Sequence, residues 1–61
     1  MSSIIDLLNI RNNLHTTERY GFGLYILNLN IQSNEFIEDM INWCDEYNLK
    51  TLSIRFKLLL N

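Results

Sequence analysis

The chain has 61 residues, with five Lys and Arg against seven Asp and Glu, and a formal net charge of -2 at pH 7. This length predicts one small domain, residues 1–61. Hydrophobic residues make up 48% of the chain, which excludes a disordered tail because such tails are poor in large aliphatic side chains. The single cysteine excludes an internal disulfide framework, and the negative charge argues against a strongly basic nucleic-acid binder.

A domain of this size is expected to have a small free energy of unfolding. Folding buries about 60% of the surface that the unfolded chain exposes, and the gain from that burial roughly balances the conformational entropy that is lost. Small domains are therefore commonly stabilised by disulfides, by a metal or by association. Because an internal disulfide is impossible here, we expect a homo-oligomer, most simply a dimer, or binding to a larger protein.

The N-terminal segment, residues 2–15, has the pattern of a helix. Ser3 and Asp6 have the spacing of a capping box. Arg11 interrupts the apolar stripe, and its guanidinium is expected to reach outward over the apolar edge. The stripe itself consists of Ile4, Leu7, Leu8 and Leu14. A polar connector, residues 16–19, follows.

Residues 20–31 predict a β-strand. Leucine and asparagine alternate over residues 27–30, which is the period of a strand. The first half is apolar on both faces, so this strand needs cover on both sides, and Gly21 and Gly23 favour a bulge or a close backbone approach. One face carries what we call the apolar row, made of Tyr25, Leu27, Leu29 and Ile31.

Residues 33–48 give an unbroken helical pattern. Ser33 or Asn34 can cap the start, and Asn48 suits the left-handed position after the end. Seven apolar side chains share one arc, namely Phe36, Ile37, Met40, Ile41, Trp43, Cys44 and Tyr47. The opposite arc carries five carboxylates, here called the acidic ridge: Glu35, Glu38, Asp39, Asp45 and Glu46.

Residues 50–58 alternate strictly between apolar and polar and predict a second strand. Its inner row is apolar and consists of Leu52, Ile54, Phe56 and Leu58. Its outer row is polar and consists of Thr51, Ser53, Arg55 and Lys57. Together with Lys50, Arg55 and Lys57 form a modest positive surface.

These elements follow the order α, β, α, β and predict an α/β fold. Because the links at residues 32–34 and 48–50 are short, the two strands and the intervening helix should form a right-handed βαβ unit with parallel strands. Two strands alone make a poor sheet. We expect self-association or a foreign protein to complete it, unless the N-terminal helix covers the second face.

Few residues of the types that carry catalysis are present. His15 is the only histidine, and its cationic ring would stabilise the end of the first helix. Cys44 lies within an apolar arc, where cysteine usually packs as a small hydrophobic residue. One histidine and one cysteine are too few ligands for a metal. We therefore predict a non-enzymatic protein without metal or cofactor.

The predicted function is that of a small regulator or inhibitor that binds another protein. The apolar row would anchor the partner, and the acidic ridge would speed the encounter with a basic surface, although a solvated helix face is the simpler explanation of the ridge. The alternative is a nucleic-acid-binding regulator that uses Lys50, Arg55 and Lys57, without an exposed aromatic residue for base stacking. A structural subunit of a larger assembly is a third possibility.

The expected location is the cytoplasm. Asp6 interrupts the only early apolar run, and no apolar stretch approaches the roughly 20 residues that span a bilayer. An unpaired Cys44 is typical of a reducing compartment. The many Asn and Ile residues, with no Ala or Val, suggest an AT-rich genome, and the small size suggests a phage or mobile-element origin.

Overall fold

A computed structural model describes residues 3–61, and they form helices. The elements are helix α1 (Ile4–Asn12), a short 3₁₀ helix (Thr16–Glu18), and helices α2 (Arg19–Leu29), α3 (Asn34–Glu46) and α4 (Lys50–Lys57). No β-strand occurs within residues 3–61. The predicted α/β fold, with its right-handed βαβ unit and a sheet completed by self-association, is therefore wrong.

The first helix is confirmed but is shorter than predicted. The Ser3 hydroxyl accepts a hydrogen bond from the Asp6 backbone N–H at 3.2 Å, and the Ser3 backbone N–H donates to the Asp6 carboxylate at 3.4 Å, so the predicted capping box forms. The helix ends at Asn12, because the Asn13 side chain donates to the Asn9 carbonyl and so competes with the helical backbone. The predicted start at residue 2 lies outside the described residues.

The segment 20–31, predicted as a strand, is instead helix α2 and the turn after it. Its inward positions recur three and four residues apart, which is the period of a helix. These buried or half-buried positions are Arg19, Phe22, Gly23, Leu24, Ile26 and Leu27. The leucine and asparagine alternation at residues 27–30 covers the helix end, where Asn30 takes the left-handed conformation with φ 52 and ψ 48. The apparent strand period is therefore the signature of a helix terminus.

Gly23 allows α2 to approach α4 closely. A Cβ built at this position would lie 2.5 Å from Leu52 Cδ1, well inside van der Waals contact. At Gly21 a Cβ would meet nothing within 4 Å. Of the two expectations for these glycines, the close backbone approach is confirmed for Gly23 and the bulge is wrong.

The helix predicted over residues 33–48 is confirmed as α3. The Ser33 hydroxyl accepts from the Phe36 backbone N–H at 3.3 Å, which caps the start. Asn48 takes a positive φ of 59, as expected for a residue that ends a helix. Six of the seven residues of the apolar arc are buried, and only Tyr47 remains partly exposed.

The segment 50–58, predicted as a strand, is helix α4. Leu52 and Phe56 are buried as predicted, but Ser53 is also buried, whereas Ile54 and Leu58 are exposed. Residues four apart share a face in both a helix and a strand, so Leu52 and Phe56 fit either period. The two periods differ at Ser53, Ile54 and Leu58, and the structure has Ser53 inside and the other two outside, so their predicted faces are wrong.

Helices α3 and α4 form an antiparallel hairpin around residues 47–49. At the turn, the Leu49 backbone N–H donates to the Cys44 carbonyl at 2.8 Å. At the far end, the Asn61 backbone N–H donates to Asn34 Oδ1 at 3.5 Å. The C-terminal segment therefore runs back along the whole length of α3.

The hydrophobic core lies between the hairpin and the helices packed on it. The described molecule measures 30 × 28 × 16 Å, so it is two helices thick and its core is thin. The core residues are Leu7, Ile26, Phe36, Ile37, Met40, Ile41, Trp43, Cys44, Leu52 and Phe56. Large apolar side chains left exposed by this thin core are Ile4, Ile5, Ile10, Tyr20, Tyr25, Leu29, Tyr47, Ile54 and Leu58.

Candidate functional site

The apolar row of Tyr25, Leu27, Leu29 and Ile31 does not exist as one surface. Residues two apart on a helix point about 200° away from each other. Leu27 and Ile31 are half-buried against the core, while Tyr25 and Leu29 are exposed. The expected anchor surface on a strand face is therefore wrong, because the segment that would carry it is helical.

The acidic ridge lies on α3 as expected, with all five carboxylates exposed. It is divided between two sides of the helix. Glu38 lines the groove between α3 and α4, and Asp45 lies two turns further along the same side. Glu35, Asp39 and Glu46 line clefts on the side that faces α1 and the start of α2.

Arg11 joins α1 to the acidic ridge. Its guanidinium donates to Asp39 Oδ2 at 2.7 Å, and the side chain is only 12% exposed. The guanidinium carbon also lies 5.9 Å from the centre of the Trp43 ring, within the range of a cation–π contact. The expectation that Arg11 reaches outward into solvent is wrong, because a carboxylate 28 residues later in the sequence offers it a partner.

A cleft of about 290 Å³ surrounds this contact. Its second cation, Arg19, has its guanidinium carbon 3.7 Å from the centre of the Tyr47 ring, and Trp43 packs edge-on against Tyr47 at 5.8 Å. Asp39 and Glu46 line the same cleft, so its two cations and two carboxylates leave no net charge. Arg11, Arg19, Asp39, Trp43 and Tyr47 contact one another in pairs, and the cleft lies at the junction between α1, α2 and α3.

The three cations Lys50, Arg55 and Lys57 are all exposed on α4. Lys50 and Lys57 are two turns apart and share one side of the helix, whereas Arg55 lies on the other side. Between them lie Ile54 and Leu58, which are four residues apart and therefore adjacent. These two aliphatic residues are 59% and 79% exposed. Sequence reasoning missed this surface because it assigned both residues to the interior.

The side of the hairpin that carries both charge types is the candidate functional site. A shallow groove of about 490 Å³ separates α3 from α4 and is lined by Glu38, Ile41, Asn42, Lys57 and Leu60. We call the surface around it the hairpin face, defined by Glu38, Ile41 and Asp45 on α3 and by Lys50, Ile54 and Lys57 on α4. The sequence does contain a signal for this face. Glu38 and Asp45 are seven residues apart, as are Lys50 and Lys57, so each pair shares one side of its helix.

Cys44 and His15 lie in different surroundings, since Cys44 is in the core and His15 is exposed at the start of the 3₁₀ helix. Cys44 is fully buried. His15 precedes the 3₁₀ helix rather than ending α1, and its backbone N–H donates to Glu18 Oε1 at 2.8 Å. The expectation that the first helix ends at His15 is therefore wrong, because α1 ends at Asn12.

The buried thiol predicts a stability change in alkaline solution. The pKa of Cys44 is raised from its ordinary 9.0 to about 11, chiefly because burial disfavours the thiolate, with Asp45 adding to the rise and Arg11 opposing it. The folded chain therefore keeps the proton when the unfolded chain has lost it. The raised pKa of Cys44 therefore makes the free energy of unfolding depend on pH. Below about pH 9 the contribution of the neutral thiol is complete, and as the pH rises towards 11 the free energy of unfolding falls by about 2 kcal/mol.

Urea unfolding between about pH 8 and 11 checks this effect. Cys44→Ala is the control, since it lacks the thiol and keeps every other ionisable group of the wild type. The stability difference between the wild type and this variant should shrink with rising pH. A constant difference would contradict the prediction.

No helix within residues 3–61 combines the length and the apolar character that a membrane crossing requires. Nowhere in the same residues do three or more His, Cys, Asp or Glu side chains meet as a possible metal site. Comparison of the chain with protein-family models, with curated proteins and with solved structures finds no match.

Proposed function

We propose that this chain is a small non-enzymatic protein that acts as a regulator or inhibitor by binding protein. The contact surface is the exposed side of α4, with Ile54 and Leu58 as its apolar anchors. The observation that carries the proposal is that these neighbouring aliphatic residues are 59% and 79% exposed. Adjacent aliphatic side chains in water are typical of protein contact sites.

The charges around the two anchors define the chemistry of the partner. Lys50 and Lys57 flank Ile54 on one side, and Arg55 flanks the pair on the other. A cationic rim around an apolar centre favours a partner with carboxylates around an apolar contact. Such complementarity raises the association rate and selects against basic surfaces.

Nucleic-acid binding by Lys50, Arg55 and Lys57 has less support. The apolar anchors separate Arg55 from the two lysines, so the cations do not form one continuous stripe. Glu38 lines the same groove as Lys57 and would repel a phosphate there. A continuous positive surface is what binding to a phosphate backbone requires.

Affinity capture with matched variants tests the proposed function. The tagged full chain is incubated with an extract of its own cell, alongside a double variant that carries Ile54→Ser and Leu58→Ser. The control carries Ile5→Ser and Ile10→Ser, which alter exposed aliphatic residues on α1. We expect a protein retained by the wild type and the control but lost by the α4 variant.

The purified partner then allows a direct measurement. Its Kd should rise at least about tenfold for the α4 variant and stay nearly constant for the control. Equal binding by the two variants would contradict the assigned surface. Binding of labelled oligonucleotides with steep salt dependence, in place of a protein, would contradict the function itself.

A further inference from the structure

We propose that the partner of the hairpin face is a second copy of this chain. This inference rests on the proposed function and names the protein that is bound. Its basis is the placement of charges on the hairpin, where one helix contributes acids to the face and the other contributes bases. A two-fold axis converts this arrangement into a self-complementary surface.

The four charges of the face are free to pair with another molecule. Glu38 and Asp45 project from α3, while Lys50 and Lys57 project from α4. In the described part of the chain, none of the four lies within 4.0 Å of an opposite charge, since the ion pair found there joins other residues. Two acids and two bases leave the face without net charge, so two copies do not repel each other.

The antiparallel hairpin brings these charges to matching levels. Around the turn at residues 47–49, Asp45 lies level with Lys50, and Glu38 lies level with Lys57. The groove lined by both Glu38 and Lys57 supports the second pairing, and the turn bond from Leu49 to Cys44 supports the first.

Two copies can be related by a two-fold axis that lies along the middle of the hairpin face, parallel to α3 and α4. This operation places α3 of each copy on α4 of the other without changing levels along the axis. Glu38 of one copy then faces Lys57 of the other, and Asp45 faces Lys50. Each contact occurs twice, as in an isologous dimer, and all four contacts join opposite charges.

An exposed apolar side chain lies between the two charged levels. Ile54 on α4 shares the middle level of the hairpin with Ile41 on α3, but Ile54 is 59% exposed whereas Ile41 is 8% exposed and belongs to the core. In the dimer, Ile54 of each copy lies over the stretch of α3 around Ile41 of the other and is removed from water. The charged contacts flank the two isoleucines, as charged groups flank the apolar centre of a protein interface.

The size of the face predicts a reversible dimer. A helix of 13 residues is about 20 Å long, and two packed helices are about 20 Å wide. The resulting 400 Å² or so per copy, about 800 Å² in total, is smaller than a stable specific interface and is the size of a weak, transient contact. We therefore expect monomers at low micromolar concentration and dimers at several hundred micromolar.

Sedimentation equilibrium on the full chain and three charge variants tests the inference. The acid-reversed variant carries Glu38→Lys and Asp45→Lys, the base-reversed variant carries Lys50→Glu and Lys57→Glu, and the third carries all four changes. Each two-site variant places like charges opposite each other and should weaken self-association at least about tenfold. The four-site variant restores opposite charges and should dimerise like the wild type, as should an equimolar mixture of the two-site variants.

The outcomes separate this inference from the proposed function. A wild type that remains monomeric up to about 500 µM, or a four-site variant that fails to regain dimers while its circular dichroism shows folded helices, overturns the second-copy inference. Capture of a foreign protein through Ile54 and Leu58 in that case leaves the proposed function in place. Dimers that all variants form equally well would assign self-association to another surface.

Discussion

Phe56→Ala is expected to lower the free energy of unfolding by about 3–5 kcal/mol, whereas Leu58→Ala should change it by less than about 0.5 kcal/mol. Phe56 is 1% exposed and Leu58 is 79% exposed. Truncating a buried phenylalanine removes its burial and leaves a cavity. The loss is comparable to the whole stability of a small domain, so Phe56→Ala should be largely unfolded at ambient temperature.

Urea unfolding followed by circular dichroism measures both variants, at low micromolar protein so that association does not contribute. Phe56→Leu is the milder companion, because it keeps an apolar side chain and should lose only about 1–2 kcal/mol. The comparison also distinguishes helix from strand. If residues 50–58 were a strand, Phe56 and Leu58 would share its buried face, and equal losses in both alanine variants would contradict the helical structure.

Gly23→Ala is expected to destabilise the fold by about 1–3 kcal/mol, although alanine is normally favoured over glycine within a helix. The new methyl group would lie 2.5 Å from Leu52 Cδ1, and Leu52 is fully buried, so its side chain has no empty space to enter. Gly21→Ala is the matched control on the same helix. With nothing within 4 Å of its Cβ, it should gain about 0.5–1 kcal/mol.

Thermal or urea unfolding of the two alanine variants gives the sign of each change. A Leu52→Val background, which removes the clashing Cδ methyl groups, should reduce the cost of Gly23→Ala, and the double-mutant cycle measures this coupling. If Gly23→Ala stabilised the protein as much as Gly21→Ala, the close packing of α2 on α4 would be contradicted.

Parts of the candidate site could be predicted from the sequence. The acidic ridge is on a helix, as its spacing indicates, and the three cations of the C-terminal segment are all exposed. The apolar residues beside the three cations could not be predicted, because the alternation of residues 50–58 indicates the period of a strand. That period placed Ile54 and Leu58 inside, next to Leu52 and Phe56, and so concealed the apolar centre of the surface.

Contacts between residues far apart in the sequence could not be predicted from spacing patterns either. Arg11 interrupts an apolar stripe, and only the position of Asp39 on the neighbouring helix explains how its charge is accommodated. The stacking of Arg19 on Tyr47 likewise joins two helices. Neither pair has a spacing within one element that would indicate the contact.

The sequence by itself determines the capping box at Ser3 and the helix α3, because both depend on residues within a few positions of one another. Tertiary structure alone decides that helices α2 and α4, and not strands, form within residues 20–31 and 50–58. Their short apolar runs fit more than one period, since side chains four residues apart share a face in a strand and in a helix. Packing resolves the ambiguity. Gly23 lies against Leu52, and Phe56 is part of the core, so both apolar segments bury apolar side chains as helices packed with α3.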